Sequence, residues 1–181
     1  TELLVKLLND SYKPVQEAAA AGLERTGLRG HEDLILQKIT EGGWIGYFAV
    51  KALGKTCSEE SSSKLISTYD KMDPSIKLAI VEVLGNCAKE NVKDFLMERI
   101  NDENEDIRKE ALSSLCNTFK SDAGTAAEKM VLSDDSWLVR FRALEILDEL
   151  RPANFDKIIG EVKQKDNNRY IQEKVLAILG K

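Results

Sequence analysis

Residues 102–115 read DENEDIRKEALSSL, and residues 134–147 read DDSWLVRFRALEIL. Laid over one another, they share an opening Asp, a branched apolar residue five positions on, then Arg, small residues and a closing Leu. The branched residue recurs along the chain as Val15, Ile45, Ile76, Ile107, Val139 and Ile171, at spacings of 30, 31, 31, 32 and 32 residues. Four residues after each come Ala19, Ala49, Ile80, Ala111, Ala143 and Val175. Eight residues after each come Leu23, Leu53, Leu84, Leu115, Leu147 and Leu179. Apolar side chains at i, i+4 and i+8 mark one face of an α-helix. Six copies of that face at a nearly fixed period predict stacked repeats, which bury their apolar sides only against their neighbours.

Each repeat divides into a shorter first helix and a longer second one. The second helices are expected at about 14–26, 44–56, 74–88, 105–119, 137–150 and 168–180, within one domain of repeats 1–27, 28–56, 57–88, 89–120, 121–151 and 152–181. First helices carry apolar groups such as Leu4 and Leu8, Leu65 and Tyr69, or Ile158 and Val162. The fifth is the weakest, because Ala126 and Ala127 replace large residues. Asp73 before Pro74 reads as an N-cap followed by a proline at the first helical position. Gly27, Gly54 and Gly85 lie where helices should end and read as C-terminal caps. Ser58–Ser63 reads as a loop and helix start.

Composition narrows the function classes. Apolar residues make up 43% and charged residues 31%, which fits a folded, water-soluble chain. The net charge of −5 gives no general attraction to phosphate backbones or anionic lipid. No apolar run is long enough to span a membrane. The opening Thr1, with no leader before the first helix, reads as a trimmed or excised domain. Cys57, Cys87 and Cys116 form no CxxC pair and read as small apolar packing groups in a reducing compartment, which favours a cytoplasmic location.

The Asp at positions 10, 102, 134 and 166, with Arg108 and Arg140 one residue after the branched residue, resembles HEAT repeats, in particular the short class found in phycobilin lyases. The resemblance covers essentially the whole chain. It implies an all-α, right-handed α-solenoid of about six helix-turn-helix repeats of armadillo-like type. It also implies that Asp and Arg cross-link successive turns as a ladder, which is sound chemistry for a planar guanidinium and a carboxylate near helix N-termini. Departures are Thr40 and Gly46 in repeat 2, Lys71 in repeat 3, and Gln16 and Gln172 in repeats 1 and 6. Gly42-Gly43 marks an irregular turn: either a local scar that Trp44 covers or a bent joint.

Catalytic designs find little material. His31 is the only histidine, so a Ser-His-Asp or Cys-His arrangement has one candidate and no supporting neighbours. A HEAT-like di-iron hydroxylase uses several His-Glu dipeptides; His31-Glu32 alone cannot supply that ligand set. No metal, cofactor or catalytic residue is therefore assigned. No Gly-rich phosphate loop occurs. Basic residues alternate with acids, as helix faces in water do. A local patch of Lys109, Arg140 and Arg142 is the one nucleic-acid candidate.

The resemblance implies that the second helices line a concave face. Five residues after each branched residue stand Ala20, Val50, Val81, Leu112, Leu144 and Leu176, expected to pack against the next repeat. Positions two and six residues on face outward. They supply a binding stripe of Tyr47, Lys51, Leu78, Glu82, Lys109, Phe141 and Glu145, with apolar anchors in a charged surround. Trp44 and Trp137 read as packing groups. The expected function is a non-catalytic scaffold that binds a protein segment on this face. A phycobilin lyase-like accessory subunit is the alternative, and nucleic-acid binding the third reading. The first and last helices lack polar caps, so self-association through the ends is a further expectation.

Overall fold

The structure, a computed structural model, describes residues 2–26, 32–56 and 58–180. The expectations for Gly27, His31 and Cys57 fall outside these residues. Among the described residues there are twelve α-helices, one 3-10 turn and no strand. The chain forms two compact units, one ending at Phe95 and the other starting at Leu96.

The first unit contains α1 (Glu2–Leu7), α2 (Lys13–Thr26), α3 (Glu32–Ile39), α4 (Gly43–Gly54), α5 (Glu59–Thr68) and α6 (Pro74–Leu84), with the start of α7 (Glu90–Arg99). Helix α2 packs on α4, and α4 on α6, while α1 and α3 flank their own partners. The second unit continues α7 and contains α8 (Glu105–Thr118), α9 (Lys120–Ser133), α10 (Trp137–Leu150), α11 (Phe155–Lys165) and α12 (Arg169–Leu179). Here α8, α10 and α12 pack in succession, with α9 and α11 alongside. In each unit, second helices stack directly on second helices, as the repeated apolar triplet requires.

In repeats 2 to 5 every member of that triplet is buried. Local chemistry sets the helix starts. Asp73 accepts from the backbone N–H groups of Ser75 and Ile76 before α6, and Ser58 and Ser61 form a reciprocal capping box at α5. The Asn104 and Asn168 side chains accept from backbone N–H groups at the starts of α8 and α12, as Asp73 does at α6. The fifth first helix, α9, is not short: it has 14 residues, and Ala123, Gly124, Ala126 and Ala127 are buried. Its small side chains let it lie close to its neighbours.

The glycines act differently from expectation. Gly54 is the last residue of α4, not a left-handed cap, and a Cβ there would stand 2.5 Å from the Cβ of Val83. It is the crossing point of α4 and α6. Gly85 caps α6 with a right-handed φ of −58°. Gly42 and Gly43 have φ of 69° and 56°, so the glycine pair is required by backbone conformation. Gly46 replaces the ladder Arg because a Cβ would lie 2.9 Å from the Ile39 carbonyl oxygen.

The ladder is present in the second unit. Arg108 donates through Nε and Nη2 to Asp134, both at 2.8 Å, and through Nη1 to the Asp102 carbonyl at 2.9 Å. Arg140 repeats this with Asp166, at 2.6 and 3.4 Å, and with the Asp134 carbonyl at 2.8 Å. The Asp134 carboxylate holds the Arg108 guanidinium above its ordinary value. Each ladder Asp also accepts the backbone N–H two residues on, at Tyr12, Asn104, Ser136 and Asn168. Gln16 and Gln172 retain half of the Arg role: their amides donate to the Asp10 and Asp166 carbonyls.

The cysteines divide. Cys116 is a free, buried thiol that burial pushes up from its ordinary value. Cys87 is buried but disulfide-bonded, so the reading of all three as reduced packing groups is corrected there. Its Sγ lies 3.8 Å from the Gly54 carbonyl oxygen, where the close α4–α6 approach delivers it. No described helix is long and apolar enough to cross a membrane.

Candidate protein-binding face

The stripe residues fall on four second helices, in two groups. In the first unit, Tyr47 and Lys51 project from α4 one turn apart, and Leu78 and Glu82 from α6. Tyr47, Lys51 and Leu78 are half-buried and Glu82 is exposed. The Lys51 ammonium pairs with Glu82 and lies 5.4 Å from the Tyr47 ring centroid. A carboxylate on one side and a π-face on the other fix this cation between two repeats. Thus Tyr47, Lys51 and Glu82 are brought together. Leu78 shares their helix face one turn before Glu82.

Trp44 extends this group. It is 62% exposed, which corrects its reading as a packing residue. Its indole stacks on Phe48 at 6.0 Å and meets Tyr47 edge-on at 5.9 Å, and Tyr47 meets Phe48 at 5.5 Å. The positive-φ glycine pair starts α4 at Gly43, placing Trp44 in the first turn, where its ring reaches along the helix to residues three and four positions on. The signal was in the sequence as aromatics at positions 44, 47 and 48.

In the second unit, Lys109 on α8 and Phe141 and Glu145 on α10 are half-buried. Phe141 meets Trp137 edge-on at 6.4 Å, and Trp137 stacks on Tyr170 of α12 at 5.0 Å with 23° between the planes. Tyr170 is 56% exposed, so this second aromatic row ends at the surface. Trp137 packs between helices as expected. Lys109 pairs with Asp106 at 2.9 Å. Arg142 donates to the Ser113 hydroxyl at 2.8 Å and pairs with Glu145 at 3.1 Å. Arg142, placed by the sequence in a basic patch and not on the stripe, links α10 to α8.

These pairings also dispose of the basic patch as a free charge surface, since Lys109, Arg140 and Arg142 each have an acidic partner. Among the described residues no group of three His, Cys, Asp or Glu could hold a metal ion. The stripe therefore offers aromatic and apolar surface between internally paired charges. It can bury apolar side chains, and its paired charges can hydrogen-bond a polar backbone.

The family pattern of HEAT repeats matches residues 62–148. This stretch is HEAT-repeat sequence. No curated protein matches the chain. Among solved structures, the complex of CpcE and CpcF of phycocyanin lyase from Nostoc sp. PCC7120 is similar, with a TM-score of 0.65 and 17% identity over 99% of this chain and 75% of that one. The archaeal HEAT-like repeats protein from Thermococcus onnurineus NA1 gives 0.58 and 12% over 98% and 84%. A designed armadillo repeat protein in complex with the peptide (KR)4 gives 0.51 and 16% over 98% and 97%. At these identities the likeness is one of fold: an all-α HEAT or armadillo-type solenoid. HEAT repeats of this kind stack helix pairs into extended surfaces.

Proposed function

We propose that this HEAT-repeat chain is a non-catalytic scaffold that binds a segment of a protein partner on its second-helix face. The observation that carries the reading is the aromatic group of Trp44, Tyr47 and Phe48. It leaves an indole mostly exposed beside the fixed Lys51–Glu82 pair. A large aromatic surface in a polar surround is the usual composition of an interface anchor. The second aromatic row, Phe141, Trp137 and Tyr170, supplies the same chemistry on α10 and α12. Lys109 and Glu145 set polar register beside it. Two of the similar solved structures are complexes, one of two lyase chains and one with a peptide. They support binding as a use of such surfaces. The lyase likeness transfers no activity at 17% identity. The single histidine of the sequence supports a binding role over acid-base catalysis.

The test is recovery of a partner from native extract by the purified chain, beside a Tyr47→Ala/Leu78→Ala/Phe141→Ala variant and a Trp44→Ala variant. The partner is then identified and its binding repeated with purified material. Loss of that binding in both folded variants is the expected result. Unchanged affinity in both would place the interface elsewhere and end this reading.

A further inference from the structure

The aromatic patch of Trp44, Tyr47 and Phe48 in the first unit has a rim of one sign. Two ion pairs bound it, and both are oriented alike. In the Lys51–Glu82 pair the lysine side chain is 15% exposed and the glutamate 47%. In the Lys38–Glu41 pair, closed at 2.6 Å at the turn between α3 and α4, the values are 9% and 43%. Each cation is sunk beneath the surface and each carboxylate faces water. The charges cancel within each pair, but an approaching group meets the oxygen atoms first.

Asp73 supplies a third carboxylate. Its Oδ1 accepts every hydrogen bond of the α6 cap, from the N–H groups of Ser75 and Ile76 and from the Ser75 hydroxyl. Among the described residues no hydrogen bond or ion pair reaches Oδ2. That oxygen lies beside the start of α4: a Cβ on Gly42 would stand 3.2 Å from it, and Gly42 is the N-cap two residues before Trp44. Asp73 is exposed, and its cap bonds favour the ionised carboxylate. On the neighbouring α2, the exposed ammonium of Lys13 is offset by Glu17 at 4.0 Å. The patch already holds one cation against a ring, since the Lys51 ammonium lies 5.4 Å from the Tyr47 centroid. Among the described residues no cation lies on the Trp44 indole, the most exposed ring of the three.

These features select an occupant. A purely apolar side chain on the indole would strip water from the rim carboxylates and give them no partner. An acidic side chain would face like charge. An arginine meets both demands: its guanidinium is weakly hydrated, stacks on an aromatic face and offers N–H groups at its edge to carboxylates. We propose, resting on the protein-binding reading of this face, that the exposed Trp44 indole seats an arginine of a basic partner segment, with the Glu41, Asp73 and Glu82 carboxylates as the acceptors around it. Every residue of this seat belongs to the first unit.

Nuclear magnetic resonance titration of the nitrogen-labelled chain tests it with three blocked peptides. They are acetyl-Leu-Arg-Leu-Arg-amide, the same peptide with citrulline for each arginine, and the same with glutamate. Citrulline keeps the shape and removes the charge. The Trp44 indole N–H and the α4 amides report the seat, and the indole N–H of Trp137, the second of the two tryptophans, is the internal reference. The arginine peptide is expected to move the α4 signals and to bind about tenfold more tightly than the citrulline peptide, with the glutamate peptide weakest. Trp44→Leu keeps an apolar surface without the indole, and Asp73→Asn keeps a capping side chain without the charge. Each should cut the arginine preference by about threefold, with circular dichroism unchanged. Citrulline or glutamate peptide bound at α4 as tightly as the arginine peptide would overturn the arginine seat and leave the binding face in place. A full arginine preference in Trp44→Leu would overturn it too, as would arginine-peptide shifts confined to the second unit. No movement at α4 with any of the three peptides would remove the seat together with α4 as a peptide-binding surface.

Discussion

Arg108 holds the Asp134 carboxylate through two nitrogens, each at 2.8 Å, across 26 residues of sequence. The side chains are 15% and 7% exposed, so the pair is largely out of water. Its third contact, Nη1 to the Asp102 carbonyl, ties the same guanidinium to its own turn.

Removing one partner of such a pair leaves the other charge poorly solvated. Arg108→Ala is expected to cost about 3 kcal/mol of stability. Arg108→Gln should cost less, because Gln16 and Gln172 show that an amide at this position still reaches the turn carbonyl. Urea unfolding of the three proteins checks the order. Equal losses for Ala and Gln would mean that the carbonyl contact contributes nothing.

Gly54→Ala places a methyl carbon 2.5 Å from the Val83 Cβ, a contact that only separation of α4 and α6 relieves. Overpacking of this kind costs about 1–3 kcal/mol. Gly43→Ala adds a Cβ that meets nothing within 4 Å, and its cost comes from the positive φ alone. Adding Val83→Ala to Gly54→Ala should restore little, because the Val83 Cβ remains. Thermal unfolding of these variants separates packing from backbone strain.

Asp73 caps α6, and hydrogen bonds, foremost from the Ser75 hydroxyl, hold its carboxyl below its ordinary value. A carboxyl depressed in the folded state contributes stability above its unfolded pKa. That contribution fades as pH falls through the folded pKa. Asp73→Ala is therefore expected to cost about 1 kcal/mol near neutral pH. The gap in melting temperature between parent and variant should narrow as the solution is acidified below the ordinary carboxylate range. A gap constant with pH would show that the cap acts without its charge.

The helical repeat was legible because its core positions obey one rule: the triplet at Ile107, Ala111 and Leu115 is buried for the same reason as that at Val139, Ala143 and Leu147. The ladder was legible where Asp and Arg stand in register, as at Asp134 and Arg108. Gly54 was read as a cap because sequence shows that a glycine ends a helix, whereas the Val83 approach exists only once α4 and α6 cross. Trp44 was read as packing because spacing puts its ring at the start of α4 but does not show how much of it the neighbouring helices leave exposed. That Cys87 is disulfide-bonded is a matter of tertiary placement, and spacing alone carries no trace of it. Within the candidate face, sequence spacing found Tyr47, Lys51 and Glu82 as neighbours. It put Arg142 in a basic patch without its link to Ser113, which lies 29 residues away.

Each ladder Asp closes its own turn by a local bond, whether or not a neighbour's Arg also reaches it. Among the described residues Asp10 does so with no cation beside it, and Asp134 does so while gripped. A duplicated stretch of about 32 residues would therefore arrive with its turn already formed and its cross-link optional. Lengthening or shortening by whole repeats becomes a tolerable genetic event, whereas a change of a few residues inside a repeat disturbs the register on both sides.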